Sequence, residues 1–439
     1  MLKRKIDSYL KEWKNNKNHN PLIIYGARQI GKTTSIKEFG KTYKHFIEIN
    51  FIENPEYKQA FSSFNVDEII NRLSFINPNF IFEPYNTLIL FDEIQDFMDA
   101  TTSLKFFKLD SKYDVICSSS ALGINNSSIS SVSVGFKDEY IMYTLDFEEF
   151  LWAYGYDNKL SEYLLDSMLK ERPLDSIYLE RLNKLFKEYL VLGGYPKIVD
   201  NYFKNNKNFS NCLQLQKSLY KDYIDDISKY LKGIDITRAQ KVFNSIPSQL
   251  SKDNHKFQFS KLGHGSRFYE YYGVCEWLSN SGSTLIVNNV KLNLPLKGNE
   301  EIDNFRMYYT DTSLLIAALD EETQIDLRVN NNFSIYNGAI YESIIASELK
   351  KEGYDLYFYR NQDSTIELDF IIRFKDEIIP IEVKNKNGRT LSLNKVLSKN
   401  NNIKYAIKFT NTNIGYSNNI LTLPHFTSFL LKRFLDKKR

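Results

Sequence analysis

Leu22-Ile23-Ile24-Tyr25-Gly26-Ala27-Arg28-Gln29-Ile30-Gly31-Lys32-Thr33-Thr34 is the stretch that decides how the N-terminal part of this chain folds. An apolar run runs into G-x-x-x-x-G-K-[ST], and a helical pattern follows at once. Strand, glycine-bearing loop, helix is the context a phosphate loop requires. Gly26 and Gly31 let the backbone wrap so that its N–H groups converge on phosphate oxygens. The N-terminus of the helix adds a favourable dipole. In this reading Gly26, Ala27, Arg28, Gln29, Ile30, Gly31, Lys32, Thr33 and Thr34 line an ATP site. Lys32 reaches the β- and γ-phosphates, and the Thr33 hydroxyl ligates Mg2+. A glycine turn without a ligand would have no need of the lysine and hydroxyl at these positions.

Downstream, Leu88-Ile89-Leu90-Phe91-Asp92-Glu93 is a buried strand that ends in two carboxylates. Open α/β sheets bind ligands at the C-terminal edge of their strands. Asp92 is therefore expected to hold Mg2+ through water, and Glu93 to polarise an attacking water. Phe46–Phe51 and Val115–Cys117 read as further parallel strands, with Ile36–Phe39 and Thr102–Phe107 in helices between them. That alternation predicts a parallel sheet covered on both faces. Ser118-Ser119-Ser120 follows the last of these strands. Ser119 is either a sensor of the attacking water or part of a plain loop, and Gly123–Ser133 reads as a loop.

The composition fits such a fold. The chain has 439 residues, 42% hydrophobic and 25% charged, with 31 Phe and 30 Tyr. That length predicts more than one domain. A formal net charge of +3 does not by itself imply nucleic-acid binding. Cys117, Cys212 and Cys275 fit neither a disulfide framework nor zinc spacing. No apolar run approaches the ~18 residues of a membrane span. Met1–Asn16 lacks the apolar centre of a signal peptide and reads as an amphipathic helix with Ile6, Leu10 and Trp13 on one face. The expectation is a cytoplasmic protein with no membrane partner.

Four segments are expected. Residues 1–145 form the P-loop domain, and residues 146–233 a helical segment broken at Gly193-Gly194-Tyr195-Pro196. Residues 234–330 read as a winged helix. It has helices at Ala239–Leu250 and Arg267–Leu278, then a hairpin of Thr284–Val287 and Val290–Leu294 turning at Asn288-Asn289. Such a module either contacts DNA, through Arg267 and Lys261, or only joins domains. Residues 331–439 restart an α/β pattern. A helix at Ala339–Lys351 leads into strands Leu356–Arg360, Glu367–Arg373 and Ile378–Val383, a helix near Leu391–Leu397 and a strand at Tyr405–Phe409.

Further pieces accompany the phosphate loop and Leu90-Phe91-Asp92-Glu93-Ile94-Gln95. They are Leu145-Asp146-Phe147-Glu148-Glu149-Phe150-Leu151, Gly193-Gly194-Tyr195-Pro196, Tyr308-Tyr309-Thr310-Asp311-Thr312-Ser313-Leu314-Leu315 and Asn337-Gly338-Ala339-Ile340-Tyr341-Glu342. In this order they resemble a group of prokaryotic AAA-superfamily ATPases whose C-terminal part is a domain of unknown function. The resemblance implies an ATPase core, a helical segment, a winged helix and a nuclease-like C-terminal fold. The chain departs from that pattern twice. Ser118-Ser119 stands where relatives carry Gly-Ser, which leaves Ser119 a provisional sensor. Gly135-Phe136 stands where they carry Gly-Arg, so another basic residue, Arg28 or one from a neighbouring copy in a self-associated state, is needed at the γ-phosphate.

The C-terminal element order also resembles the PD-(D/E)XK nuclease fold, within a restriction-endonuclease-like α/β domain. Glu382-Val383-Lys384 ends the strand Ile378–Ile381, and period-two geometry puts Glu382 and Lys384 on one face. Asp369 lies in the neighbouring strand and Glu342 on the preceding helix. The resemblance implies a second Mg2+ or Mn2+ at Glu342, Asp369 and Glu382, with Lys384 helping to activate water for phosphodiester attack on DNA. The same cluster could instead bind DNA, or hold the hairpin together, without cutting. Glu367, two residues from Asp369, is a weaker member. Two functions stay open: an ATPase coupled to a nuclease-like domain acting on nucleic acid, and an ATP-dependent switch or scaffold with an idle module.

Overall fold

A computed structural model describes residues 1–120, 135–251, 255–328, 338–385, 388 and 390–438. The loop expected at Gly123–Ser133, and Asn337, lie outside the described residues. The chain divides into two compact units, one of Lys3–Thr144 with Asn280–Gly282, the other of Met1–Leu2, Leu145–Ser279 and Ser283–Arg439. No helix among the described residues is long and apolar enough to cross a membrane.

The first unit is built on a five-stranded sheet of β1 (Leu22–Gly26), β2 (His45–Asn50), β3 (Thr87–Asp92), β4 (Asp114–Ser120) and β5 (Asp138–Ile141). The order is β2-β3-β4-β1-β5, and every pair is parallel. All of β3 is buried. Alternate side chains of a strand face opposite sides, so Leu88 and Leu90 fill one face while Ile89 and Phe91 fill the other. Ile69 and Leu73 of the helix Val66–Ile76, and Leu104 and Phe107 of the helix Met98–Asp110, share a core with Ile47, Ile49, Ile89 and Phe91. Each such side chain contributes about 1.5–3 kcal/mol by leaving water. The helix Lys5–Asn15 buries Ile6, Leu10 and Trp13, the face its periodicity predicts. Because β4 is seated between β1 and β3, the serines ending β4 come out between the phosphate loop and Asp92-Glu93.

The second unit joins helices to an eight-stranded mixed sheet. Its strands are β6 (Thr284–Val290), β7 (Glu300–Tyr309), β8 (Tyr357–Arg360), β9 (Glu367–Phe374), β10 (Glu377–Val383), β11 (Ala406–Thr410), β12 (Gly415–Ser417) and β13 (Ile420–Pro424), in the order β12-β13-β11-β10-β9-β8-β6-β7. The expected helix–strand–strand–strand–helix–strand series is present, from Ala339–Lys351 through β8, β9, β10 and Leu391–Lys399 to β11.

The hairpin expected within the winged helix differs. β6 continues through Asn288 and Asn289, with a shift of register against β7 between them, and its partner begins only at Glu300. The asparagines do not turn because their amides are used across strands. Asn288 donates to Glu300 at 2.6 Å, while Asn289 donates to Glu301 at 2.7 Å and accepts from the Arg360 N–H at 2.7 Å. β6 also pairs in parallel with β8 at Asn288–Tyr357 and Asn289–Phe358. The hairpin is therefore the edge of the large sheet and not a separate wing, and the boundary expected at 330/331 falls inside a body that this sheet holds together.

Between the helical residues and this sheet lies a buried polar knot. Asp311, 2% exposed, accepts the Gly194 N–H at 3.0 Å and caps the helix Thr312–Ala317 through the Ser313 N–H at 2.9 Å. Gly194 passes so close to Leu145 that a Cβ would meet its carbonyl oxygen at 2.1 Å. Asp311→Ala would strand two buried N–H donors and remove a helix cap. The expected loss is about 2–4 kcal/mol, read as a lower denaturant midpoint. A change below about 0.5 kcal/mol, the scale of ordinary surface substitutions, would contradict this account.

Candidate functional site

The phosphate loop begins at Gly26, whose φ of 155° puts its missing Cβ 2.3 Å from the Met142 carbonyl oxygen, where no side chain fits. Gly31 (φ 92°) turns the chain into the helix Lys32–Gly40. Ile30 is buried, and its carbonyl accepts from Arg4 at 2.9 Å. Arg4 also donates to Tyr143 O at 2.7 Å, so one guanidinium ties the loop to the chain after β5. Ala27, Arg28 and Thr33 are half-buried, and Gln29 and Thr34 are exposed.

Lys32 is 6% exposed, and its Nζ donates to the carbonyls of Gly26 and Ala27, both at 2.9 Å. Burial pushes its pKa down to about 8, although the charges of Glu93 and Asp92 oppose the shift. The amine is thus held inside the loop by oxygens that an arriving anion can replace.

Asp92 Oδ1 accepts from Thr33 Oγ1 at 2.9 Å and from Ser118 Oγ at 2.5 Å. One oxygen therefore joins the loop helix, β3 and β4. Glu93 follows in a left-handed conformation, φ 51°, a geometry unusual for a non-glycine residue. Its N–H donates to Ser118 Oγ at 3.0 Å, and its Oε2 accepts from Gln95 Nε2 at 2.5 Å and from the Ser120 N–H at 3.3 Å. Burial raises the Glu93 pKa, but the Gln95 hydrogen bond and the Lys32 charge outweigh it, so the carboxyl sits below its ordinary value. Ser119 donates to Gln95 Oε1 at 3.0 Å and so reaches Glu93 only through Gln95. Ser118, not Ser119, is the serine against Asp92. From the sequence, Gln95 and Ser118 have no role beyond membership of the stretches Leu90–Gln95 and Ser118–Ser120, and Arg4 is not reached at all. The neighbouring strand β4 brings in Ser118, and a helix far upstream brings in Arg4. The centre of the Phe136 ring lies 5.3 Å from Lys105 Nζ.

In the second unit Glu342, Asp369, Glu382 and Lys384 do form one electrostatic group, but they are joined by residues the sequence did not flag. Glu342 Oε2 accepts from His255 Nδ1 at 2.8 Å and Tyr308 Oη at 3.3 Å, with Arg306 Nη1 at 3.4 Å. Arg306 is 1% exposed. Its Nη1 lies 3.8 Å from Asp369 Oδ1, its Nη2 bonds to Glu367, and its guanidinium lies 4.6 Å from the Phe358 ring centre. Asp369 Oδ2 accepts from the Val383 N–H at 2.7 Å, and Lys384 Nζ pairs with Glu382 Oε1 at 2.7 Å. Burial, then the charge of Glu342, raises the Asp369 pKa. Glu342 is also buried, but His255 and Arg306 hold its carboxyl below the ordinary range. Among the described residues no group of three or more His, Cys, Asp or Glu is placed to hold a metal ion. A signal for Arg306 existed in the sequence: it is the one cation in the otherwise uncharged run Phe305–Tyr309.

With this geometry in view, residues 18–151 match a family model described as an AAA domain. Residues 183–325 and 337–426 match two described as domains of unknown function, DUF8612 and DUF4143. No curated protein matches the chain. Similar solved structures include a Walker-type ATPase of Pyrococcus abyssi, 12% identical over 72% of this chain and 96% of that one, with a TM-score of 0.44. The ORC1 protein of Aeropyrum pernix, solved in complex with DNA, is 11% identical over 75% of this chain and 93% of that one, with a TM-score of 0.31. A STAND protein of Pyrococcus horikoshii with a tetratricopeptide repeat sensor is 14% identical over 80% of this chain and 46% of that one, with a TM-score of 0.25. The first unit is an AAA-type P-loop domain.

The burial of Lys32 has a measurable consequence. A lysine whose folded pKa is lowered from 10.5 to about 8 is protonated to a greater extent in the unfolded chain across that interval. This group's contribution to stability therefore rises as pH climbs from about 8 towards 10.5, with nothing further gained above. Reductive 13C-methylation followed by NMR titration is expected to show one lysine resonance moving near pH 8. Its persistence in Lys32→Arg would contradict the assignment.

Proposed function

We propose that the first unit binds ATP with Mg2+ and hydrolyses it. The observation that carries this reading is the 2.9 Å contact between Thr33 and Asp92, with the ionised Glu93 held beside them by Gln95 and Ser120. A hydroxyl and a carboxylate from separate elements, brought side by side, are the oxygen donors that a hard divalent cation takes. Thr33 and Asp92 would hold Mg2+, which supplies charge neutralisation at the phosphates. The loop N–H groups and the start of the Lys32–Gly40 helix bind the phosphates. Lys32 leaves the carbonyls of Gly26 and Ala27 for the β- and γ-oxygens. Glu93, kept ionised, orients the attacking water and takes its proton. Gln95 fixes the angle of that carboxylate, and Ser119 fixes Gln95. Arg28, or an arginine from a neighbouring copy, completes the charge at the γ-phosphate.

For the second unit one observation favours the switch over the nuclease. The cluster carboxylates are bonded within the protein, Glu342 to His255, Asp369 to the Val383 N–H and Glu382 to Lys384. The proposal is an ATP-dependent switch whose nuclease-like part does not cut. Nucleic acid remains a candidate effector, to be read from stimulation of ATP turnover.

Lys32→Ala is expected to abolish turnover and most ATP affinity; unchanged binding and hydrolysis would sink the assignment. Glu93→Gln preserves shape but removes the base, so ATP stays bound while kcat falls by about 10²–10⁴-fold. Wild-type turnover in that variant would remove Glu93 from the chemistry. In Gln95→Ala the carboxylate is ionised but unheld, and kcat is expected to fall by roughly tenfold at unchanged KM, a loss of about 1.4 kcal/mol at the transition state. A change confined to KM would contradict a positioning role. Cutting of DNA by wild-type protein with Mn2+, lost in Asp369→Ala, would overturn the switch reading in favour of the nuclease.

A further inference from the structure

The resemblance to PD-(D/E)XK nucleases implies a divalent metal among Glu342, Asp369 and Glu382, and the side chains present do not fit one. A Mg2+ ion draws its oxygen ligands to about 2.0–2.1 Å, which brings neighbouring ligand oxygens to roughly 3 Å from one another. Here the space between the carboxylates belongs to a guanidinium. Arg306 arrives from β7 at 1% exposure and reaches Glu342 at 3.4 Å, Asp369 at 3.8 Å, and Glu367. Its flat face is backed by Phe358, with 4.6 Å to the ring centre, which holds it in one plane. Tyr308, two residues on in the same strand, donates to the Glu342 oxygen that Arg306 faces. His255 donates to it too. A metal entering this space would meet a fixed positive charge a few ångströms away and would have to break these bonds.

We infer that Arg306 is a built-in cation that takes the place of the metal in this cluster, so that the wild-type cluster binds no divalent ion. The inference deepens the non-cutting reading of the same module and gives its physical cause. Two buried atoms bear on what would follow the loss of Arg306. Glu382 is 4% exposed and its Oε2 has no hydrogen-bond partner among the described residues; the same holds for Nε2 of His255, 5% exposed. A carboxylate oxygen and an imidazole nitrogen are both atoms that ligate metals. They are what would turn to a metal once the guanidinium is gone.

The experiment uses the full chain without nucleotide, with binding of Mn2+ followed by the loss of the free-ion paramagnetic resonance signal. Wild type, Asp369→Asn, Arg306→Gln and the double variant are compared, so that any Mn2+ held at the phosphate loop is common to all four. The expected result is identical binding by wild type and Asp369→Asn. Arg306→Gln gains one site at least tenfold tighter than anything in wild type, and the double variant loses it. A Mn2+-dependent rise in Tm in Arg306→Gln alone is a second readout. A wild-type site that Asp369→Asn removes would overturn the inference, and that pair decides even if Arg306→Gln does not fold. A folded Arg306→Gln that gains no site would also overturn it, while leaving the non-cutting reading in place. That reading falls separately, if wild-type protein cuts DNA in a manner that depends on Asp369.

Discussion

A carboxylate taken out of water must be met by a cation or by a set of N–H and O–H donors, because an unmet buried charge costs more than any single contact returns. Much of this molecule is arranged by that requirement. Asp92 stands at the end of a strand with no exposed face, so Thr33 and Ser118 must come to it. In coming, they fix the phosphate-loop helix, β3 and β4 in register. Glu93 is met by Gln95 and the Ser120 N–H, and its left-handed backbone is held by the Ser118 hydroxyl. The geometry that suits phosphate chemistry is thus the geometry in which the buried acids of the first unit are satisfied.

The second unit solves the same problem in two ways. Glu348, with no exposed surface, accepts from Tyr189 at 2.8 Å and from the Phe147 N–H at 3.1 Å, with Lys351 at 3.2 Å. Together with Asp311 it binds the start of the helical residues to the helix Ala339–Lys351 and to the turn after β7. In that knot each acid is met by its own set of N–H and O–H donors and by Lys351. The cluster around Asp369 is different in kind, because several acids converge and donors alone do not balance them. Arg306 supplies the balance from the edge strand, and the sheet has to carry β6 and β7 alongside β8 for that arginine to arrive. The continuity of the eight-stranded sheet is therefore what brings a cation to the cluster.

This also explains why the two sites are not equally legible in the sequence. The phosphate loop is local: its glycines, lysine and threonine lie within eight residues, and their conformations follow from φ values that neighbouring chemistry dictates. The carboxylate group is assembled from a helix, two strands and the far edge of the sheet. Its members could be guessed by face and position, but their partners could not. Asn288-Asn289 shows the limit at the level of backbone. A pair that favours a turn in isolation stays extended because Glu300, Glu301 and Arg360 use its amides.

By itself the sequence determined the parallel strands of the first unit, the phosphate loop with Asp92 and Glu93, the buried face of the first helix and the element series from Ala339 to Thr410. It could do so because each depends on periodicity, on a glycine or on a short motif, and so on interactions between residues close in the chain. Only the tertiary structure decided that Ser118 rather than Ser119 meets Asp92, that Gln95 holds Glu93, that Arg4 pins the loop, that the hairpin joins the large sheet and that Arg306 sits among the carboxylates. Except for Gln95, which lies two residues from Glu93 and is itself held by Ser119 of β4, each of these joins groups far apart in the chain. Which donor arrives is set by how strands line up in a sheet, a choice that no local pattern encodes.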